Sequence, residues 1–432
     1  MVGSPLTVGD PTPAQPTAGD LMLRRQDVND AFHPAYVVWE ITLACDQPCT
    51  HCGSRAGTKR QGELSTAEAL KVVKQLAAMR TREVVLIGGE AYLHEGFLEI
   101  IAALKAAGIR PGMTTGGRGV DRSLAFAMAG AGLYGCSVSI DGSEPTHDLM
   151  RAAPGSFKSA TDALRFLKEA GIRTAANTNL NRLNASDLEA LAAHLAPLGI
   201  GAWQVQITAP LGRAADRPGL ILQPWDLLDL MPRVTALKKS LWADHRIVVM
   251  AGNNLGYFSP DEALLRSPPS DAPADHWRGC AAGKFVMGIE ADGGVKGCPS
   301  LQSSYLGGSL KTESLDALWS AEEGPIAFNR RRTVEDLWGF CRTCPFAETC
   351  LGGCSFTAHA VVGRPGNNPF CYYRANTLKK RGLRERLVLR EAAPGQPFDN
   401  GRFAVLEEPF DGPDPKPPTP RDLVKKRKPV PA

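Results

Sequence analysis

From Tyr36 onward the chain alternates short β-branched runs with longer stretches of 3.6-residue periodicity, a pattern that predicts repeated βα units. The predicted strands are YVVWEIT (36–42), EVVLIGG (83–89), IRPGMTT (109–115), YGCSVSID (134–141), IRTAANTNL (172–180) and AWQVQIT (202–208). In the stretch after the first strand, Ser65 with Glu68 three residues on forms a helix-start signal, and Leu70, Val73, Leu76 and Ala77 fall on one face. Further helices are predicted near 95–107, 121–130, 156–170 and 185–198, several stopping at Gly108, Gly171 or Gly199, where a left-handed residue is expected. Six such repeats predict an α/β fold, a partial (β/α)6 TIM-type barrel whose functional loops lie at the carboxyl ends of the strands. A doubly wound open sheet is the alternative; it is disfavoured because no G-x-G-x-x-G follows the first strand and no phosphate-binding G-x-x-x-x-G-K-[ST] occurs.

Outside residues 35–250 the texture changes. Residues 1–34 are rich in Pro, Gly and Thr and read as a flexible lead-in, and 251–275 as a linker. Between 276 and 385, seven cysteines stand among many Gly, Pro and Ser residues, which predicts a small irregular domain held together by something other than an apolar core. Residues 386–432 are Pro-rich, close with VKKRKPVPA, and read as a largely disordered tail. The 49 basic and 45 acidic side chains leave a net charge of +4, too dilute for a nucleic-acid surface. No apolar run approaches the roughly 20 residues that span a bilayer, and the first residues carry no export signal, so a cytoplasmic protein is expected. Eleven cysteines, an odd number and clustered, point in a reducing compartment to metal or catalysis rather than disulfides.

Cys45, Cys49 and Cys52 stand as C-x3-C-x2-C in the loop directly after the first strand. Three thiolates at this spacing can hold three irons of a [4Fe-4S] cluster and leave the fourth open to a ligand; a zinc site with a distant fourth ligand, or unconnected thiols, are the alternatives. His51, between two of them, is expected to pack against the metal site rather than ligate it. Cys136, on the fourth strand outside every cluster pattern, is expected to be a buried thiol.

The loop resembles the signature of the radical S-adenosylmethionine enzymes, and the resemblance covers about residues 36 to 250. It implies that S-adenosylmethionine chelates the open iron through its amine and carboxylate, that one electron from the cluster cleaves the sulfonium, and that the resulting 5′-deoxyadenosyl radical abstracts a substrate hydrogen. Gly88, Gly89 and Glu90 are similar to the family's G-G-E motif, with the glycines expected to let backbone approach the ligand and Glu90 to accept from its ammonium. Ala91 stands where the family commonly has Pro. The resemblance also implies ribose contacts from Ser139, which period-2 alternation puts on one face with Asp141, and from Asn177, and a contact of Arg151 with the cofactor carboxylate.

The C-terminal cysteines resemble the SPASM extension: Cys280, Gly293 and Cys298, then Cys341-x2-Cys344-x5-Cys350-x3-Cys354, then Cys371. That resemblance implies two auxiliary [4Fe-4S] clusters, a distal one on Cys341, Cys344, Cys350 and Cys371 and a proximal one on Cys280, Cys298 and Cys354, the latter open, water-bound or completed by Asp275 or His276. Zinc ribbons are the alternative. Trp203, Gln204 and Gln206 on the sixth strand are candidates to face substrate, against a packing role. The expected function is modification of a ribosomal peptide or protein side chain; the alternatives are the same chemistry on a small molecule such as a tetrapyrrole precursor, and a non-enzymatic iron-sulfur or zinc protein. Expected partners are a flavodoxin or ferredoxin as electron donor and a leader-peptide-binding protein acting in trans, because the residues ahead of the barrel are too few for a leader-binding domain.

Overall fold

In a computed structural model that describes residues 32–268, 275–416 and 418–419, the predicted strands form one parallel sheet. They are β1 (Tyr36–Thr42), β2 (Glu83–Gly88), β3 (Arg110–Thr115), β4 (Gly135–Ser139), β5 (Arg173–Leu180) and β6 (Ala202–Ile207), joined by a seventh, β7 (Val248–Ala251). Helices α1 (Thr66–Ala78), α2 (Phe97–Ala106), α3 (Arg122–Ala131), α4 (Glu144–Arg151), α5 (Ser156–Glu169), α6 (Leu188–Leu195) and α7 (Leu227–His245) fill the crossovers. Ser65 caps α1 with the predicted reciprocal box to Glu68. Alternate strand residues, among them Val37, Trp39, Ile41, Val84, Leu86, Val138, Ala176 and Trp203, are fully buried and pack with Leu76, Ile100, Leu104, Leu164 and Leu191 from the helices. The remaining alternate positions face the other side, the concave interior of a partial barrel.

Three differences from the sequence reading stand out. The C-terminal domain is not separate from the barrel sheet: β8 (Val286–Ile289) runs parallel to β1, and β9 (Gly294–Lys296) and β10 (Gly308–Ser309) continue the sheet antiparallel, giving ten strands ordered β10-β9-β8-β1-β2-β3-β4-β5-β6-β7. These strands were too short to show a period, and they satisfy backbone groups of β1 that an edge would leave open. The stretch 251–275 is not merely a linker: it contributes a helix, Glu262–Arg266, and Tyr257, which is buried against Trp277, Cys350 and Cys354. The tail reading fails for its first part. β11 (Leu383–Glu391) and β12 (Arg402–Pro409) pair as an antiparallel hairpin, with Leu387 and Phe403 buried in the main core. Arg384 and Arg386 on β11 form ion pairs with Glu408 across the two strands. The basic end VKKRKPVPA and nearly all of the 1–34 lead-in lie outside the described residues. No helix among the described residues is long and apolar enough to cross a membrane.

Candidate active site at the barrel mouth

β1 ends at Thr42 and delivers the chain into a loop that is stitched to itself: Gly57 N–H donates to Leu43 O at 2.9 Å and Cys45 N–H to Gly57 O at 3.0 Å. Cys49 is buried, Cys45 and Cys52 half-buried, and each of Cys49 and Cys52 acts on Cys45 as a neighbouring like charge, so the three sulfurs converge. Burial pushes the Cys45 thiol up to about 12 and raises that of Cys49 as well. Thiols so placed ionise only against a cation that compensates them, which suits a metal cluster and not solvent.

The G-G-E segment lies against this loop. Gly89 N–H donates to Thr42 O and Glu90 N–H to Ala44 O, both at 2.8 Å. A Cβ at Gly88 would overlap the Thr42 carbonyl oxygen, and one at Gly89 the Ala44 carbonyl and the Cys45 Cβ. The glycines thus let β2 approach the backbone that carries Cys45. Glu90 is buried, accepts from Thr115 Oγ1 at 2.5 Å and Gly116 N–H at 2.7 Å, and is raised to about 7 because burial outweighs these bonds. One of its carboxylate oxygens lies within 4.8 Å of the Cys45 sulfur.

Across the loop, Arg151 closes α4 and points inward. Its Nη2 donates to Asp141 at 2.6 Å and its Nη1 lies 3.7 Å from the Cys49 sulfur. Burial alone would raise the Asp141 carboxyl, yet Arg151 and His51 outweigh it and hold it well below the usual carboxylate range. His51 Nε2 is 3.3 Å from Asp141, so this histidine contacts the residue beneath the loop. Asp141 therefore anchors Arg151. Ser139 pairs in register with Asn177 on the neighbouring strand, so those two do share one neighbourhood. Cys136 is buried in the core, away from the other cysteines.

Trp203 is fully buried and donates to Thr178 Oγ1 at 2.9 Å, a packing role on the helix side. Gln204 and Gln206 alternate onto the interior face, where Gln206 Nε2 donates to Asn179 Oδ1 at 2.9 Å. The sequence reading missed the segment after β6. Gly212 packs on the Cys52 and Gly53 carbonyls, Arg213 N–H donates to Cys52 O, and the Arg213 side chain donates to Cys49 O at 2.6 Å and Ala56 O at 2.9 Å. Arg217 adds a bond to Thr50 O at 3.1 Å. The only signal was a pair of arginines four apart after the last predicted strand.

A fit test for a bound group comes from buried polar atoms that have no partner among the described residues. Asp46 Oδ1, Gln47 Nε2, His51 Nδ1, Arg151 Nε, Asn177 Oδ1 and Arg213 Nη2 are all of this kind, and all belong to the cysteine loop or to residues ringing it. Orphaned atoms are rare in folded proteins, and such a concentration marks where a polar ligand completes the site.

In the C-terminal domain Cys341, Cys344, Cys350 and Cys371 line one cavity, walled by Phe258, Phe340, Phe346 and Tyr373. Cys280, Cys298 and Cys354 act on one another as a second group. Asp275 pairs with Arg278 at 3.0 Å and, with His276, lines a different hollow alongside Ser259 and Glu262. Gln302, four residues after Cys298, is buried with both amide atoms unpartnered among the described residues.

Comparison with known proteins agrees with this geometry. Residues 39–195 match the family model of the radical SAM superfamily and residues 280–345 that of the SPASM iron-sulfur cluster-binding domain. The chain is 26% identical over 348 residues to an AdoMet-dependent heme synthase of Oleidesulfovibrio alaskensis, covering 78% of this chain and 87% of the relative. It is 28% identical over 348 residues to a mycofactocin maturase of Mycobacterium ulcerans, covering 78% and 88%. In fold it is similar to Streptococcus suis SuiB bound to S-adenosylmethionine, with a TM-score of 0.59 at 16% identity, over 79% of this chain and 76% of that one. With three converging thiols at the mouth of a partial barrel and seven more in a SPASM domain, the chain belongs to the radical S-adenosylmethionine superfamily as an enzyme whose cofactors are [4Fe-4S] clusters and S-adenosylmethionine.

Proposed function

We propose that this enzyme removes a hydrogen atom from a side chain of a ribosomal peptide or protein segment bound along the barrel interior. The observation that carries the reading is the row of uncharged amides, Asn177, Asn179, Gln204 and Gln206, on adjacent strands β5 and β6 and on the face away from the helices. Amide groups offer donors and acceptors that match the N–H and C=O groups of an extended peptide without the cations that a polycarboxylate needs. When bound, the cluster on Cys45, Cys49 and Cys52 together with S-adenosylmethionine supplies the hydrogen-abstracting radical. The chain's own residues bind and orient: Glu90 takes the cofactor ammonium, the unpartnered Arg151 Nε its carboxylate, and Asn177 Oδ1 with Ser139 the ribose. Cys341, Cys344, Cys350 and Cys371 hold one auxiliary cluster, and Cys280, Cys298 and Cys354 the other. A flavodoxin or ferredoxin supplies the electron, and a leader-binding protein in trans presents the peptide.

The second reading, a tetrapyrrole substrate, is favoured by the heme synthases, which match over the same share of the chain as the maturase. Anaerobic incubation of the reconstituted enzyme with S-adenosylmethionine, a reductant and either candidate peptides or iron-porphyrins decides between them. Formation of 5′-deoxyadenosine coupled to a mass change on the peptide is the expected outcome; coupling only to a porphyrin overturns the peptide reading.

A further inference from the structure

Arg55 lies three residues beyond Cys52 at a left-handed backbone position, with φ of 52°. Its guanidinium, 12% exposed, sits between two carboxylates from distant segments. Nη1 and Nη2 donate to Asp216 at 2.6 and 2.9 Å, and Nε and Nη2 donate to Asp399 at 2.9 and 3.3 Å. The same guanidinium donates to Gly212 O at 2.9 Å and Gln396 O at 3.2 Å. Asp216 follows β6. Asp399 lies in the connection between β11 and β12, 344 residues from Arg55 in sequence.

That connection is built around Asp399 and is fastened both to the segment after β6 and to β9. The Asp399 carboxylate accepts from the Gly395 and Gln396 N–H groups, and its carbonyl accepts from Gly212 N–H at 2.7 Å. Asn400 bridges antiparallel to Leu211, on the β6 side. Phe398, buried and itself at φ 55°, lies under the Lys296 ammonium at 4.0 Å, on the β9 side. Residues 395–400 therefore join the loop after β1, the segment after β6 and strand β9. A left-handed arginine costs about 1 kcal/mol or more and persists only where its surroundings hold it.

We propose that Asp399 is a positioning residue for the first iron site: acting through Arg55, it fixes the end of the loop that carries Cys52, which makes the C-terminal hairpin a structural part of the radical-generating centre. The physical reason is leverage. Arg55 is two peptide units past Gly53, whose carbonyl packs on Gly212, so a guanidinium clamped from two sides restrains the Cys52 backbone that the metal's own ligand bonds would otherwise have to hold alone. The proposal rests on Cys45, Cys49 and Cys52 holding a cluster.

The test uses the full-length, anaerobically reconstituted holoenzyme and its Asp399→Asn, Asp399→Glu and Arg402→Ala variants. Arg402→Ala removes only an exposed pair with Glu391 in the same hairpin. Two quantities are read: iron released to a chelator over time, and the change in the electron paramagnetic resonance signal of the reduced protein on adding S-adenosylmethionine. Asp399→Asn is expected to release about four irons per chain roughly tenfold faster than the parent, to blunt the S-adenosylmethionine-dependent signal change, and to leave the auxiliary signals in place. Asp399→Glu is expected to recover part of both effects and Arg402→Ala to match the parent. Parent-like release and signal in Asp399→Asn overturn the proposal, and so does parallel loss from all three sites, which is general unfolding. A parent protein whose signal ignores S-adenosylmethionine overturns the cluster reading itself, a distinct result.

Discussion

At the barrel mouth, three cysteines sit on a loop pinned by backbone bonds from β2, by the arginines after β6 and by its own closure on Gly57, while the seven C-terminal cysteines sit in a region with almost no apolar core of its own. The small cluster there consists of Tyr257, Trp277, Cys350 and Cys354, with Phe258, Phe346, Phe356 and Cys371 packed on it. Three of these eight are cysteines, Cys350, Cys354 and Cys371, which we propose as cluster ligands. The first site is thus shaped by protein contacts, and the second is expected to depend on metal for much of its cohesion. A radical centre needs an open iron held in fixed register with a bound cofactor, which a preformed loop supplies; an auxiliary cluster can double as a staple.

The largest effect that can break this contrast is iron removal. Chelation under anaerobic conditions should strip amide-exchange protection from residues 341–371, a loss of several kcal/mol of local stability, while β1 to β6 keep theirs. Equal loss in both regions, read by hydrogen exchange and mass spectrometry, would show that the barrel loop also depends on metal. Next in size is Gly89→Ala, which drives a methyl into the Ala44 carbonyl and Cys45. We expect a cost of about 3 kcal/mol in thermal or denaturant unfolding of the barrel, with iron falling from about twelve to about eight per chain; an unchanged iron content would mean the loop tolerates the displacement.

The smallest effect concerns pH. Glu40 on β1 is buried and raised from 4.5 to about 7, chiefly by burial, with Glu290 raising it further and Arg60, the Ala291 N–H and Lys296 opposing. The folded state therefore keeps a proton that the unfolded chain has released between pH 4.5 and 7, and the stability associated with that proton is lost as pH rises through this window, by at most about 3 kcal/mol. Glu40→Gln should flatten the dependence in the metal-free protein, as measured by denaturant titration at pH 5 and pH 8. A parallel pH slope in parent and variant would show that the charge is compensated by its neighbours.

The legible part of this protein was its local grammar. Strand runs, the Ser65 capping box, the glycine stops and the C-x3-C-x2-C loop depend on residues within a few positions of each other, the C-terminal cysteines show as an ordered set from Cys280 to Cys371, and the six predicted strands lie within one or two residues of the observed ones. For the G-G-E triplet, only the fold reveals that the protein neighbour nearest Gly88 and Gly89 is the end of β1 and the loop after it. The spacing of Arg213 and Arg217 was a faint signal and Arg55 carried none, since the partners of Arg213 and Arg55 lie more than a hundred residues away.

The periodic elements and the cysteine motifs were therefore legible in the chain alone, since periodicity and motif spacing are properties of residue order. The tertiary structure alone decided that β8 to β10 extend the barrel sheet, that Asp141 anchors Arg151 beside Cys49, and that a hairpin near the end of the chain reaches the first iron site. Those outcomes depend on which backbone edges and buried charges remain unsatisfied once the chain has folded, and that balance exists only in three dimensions.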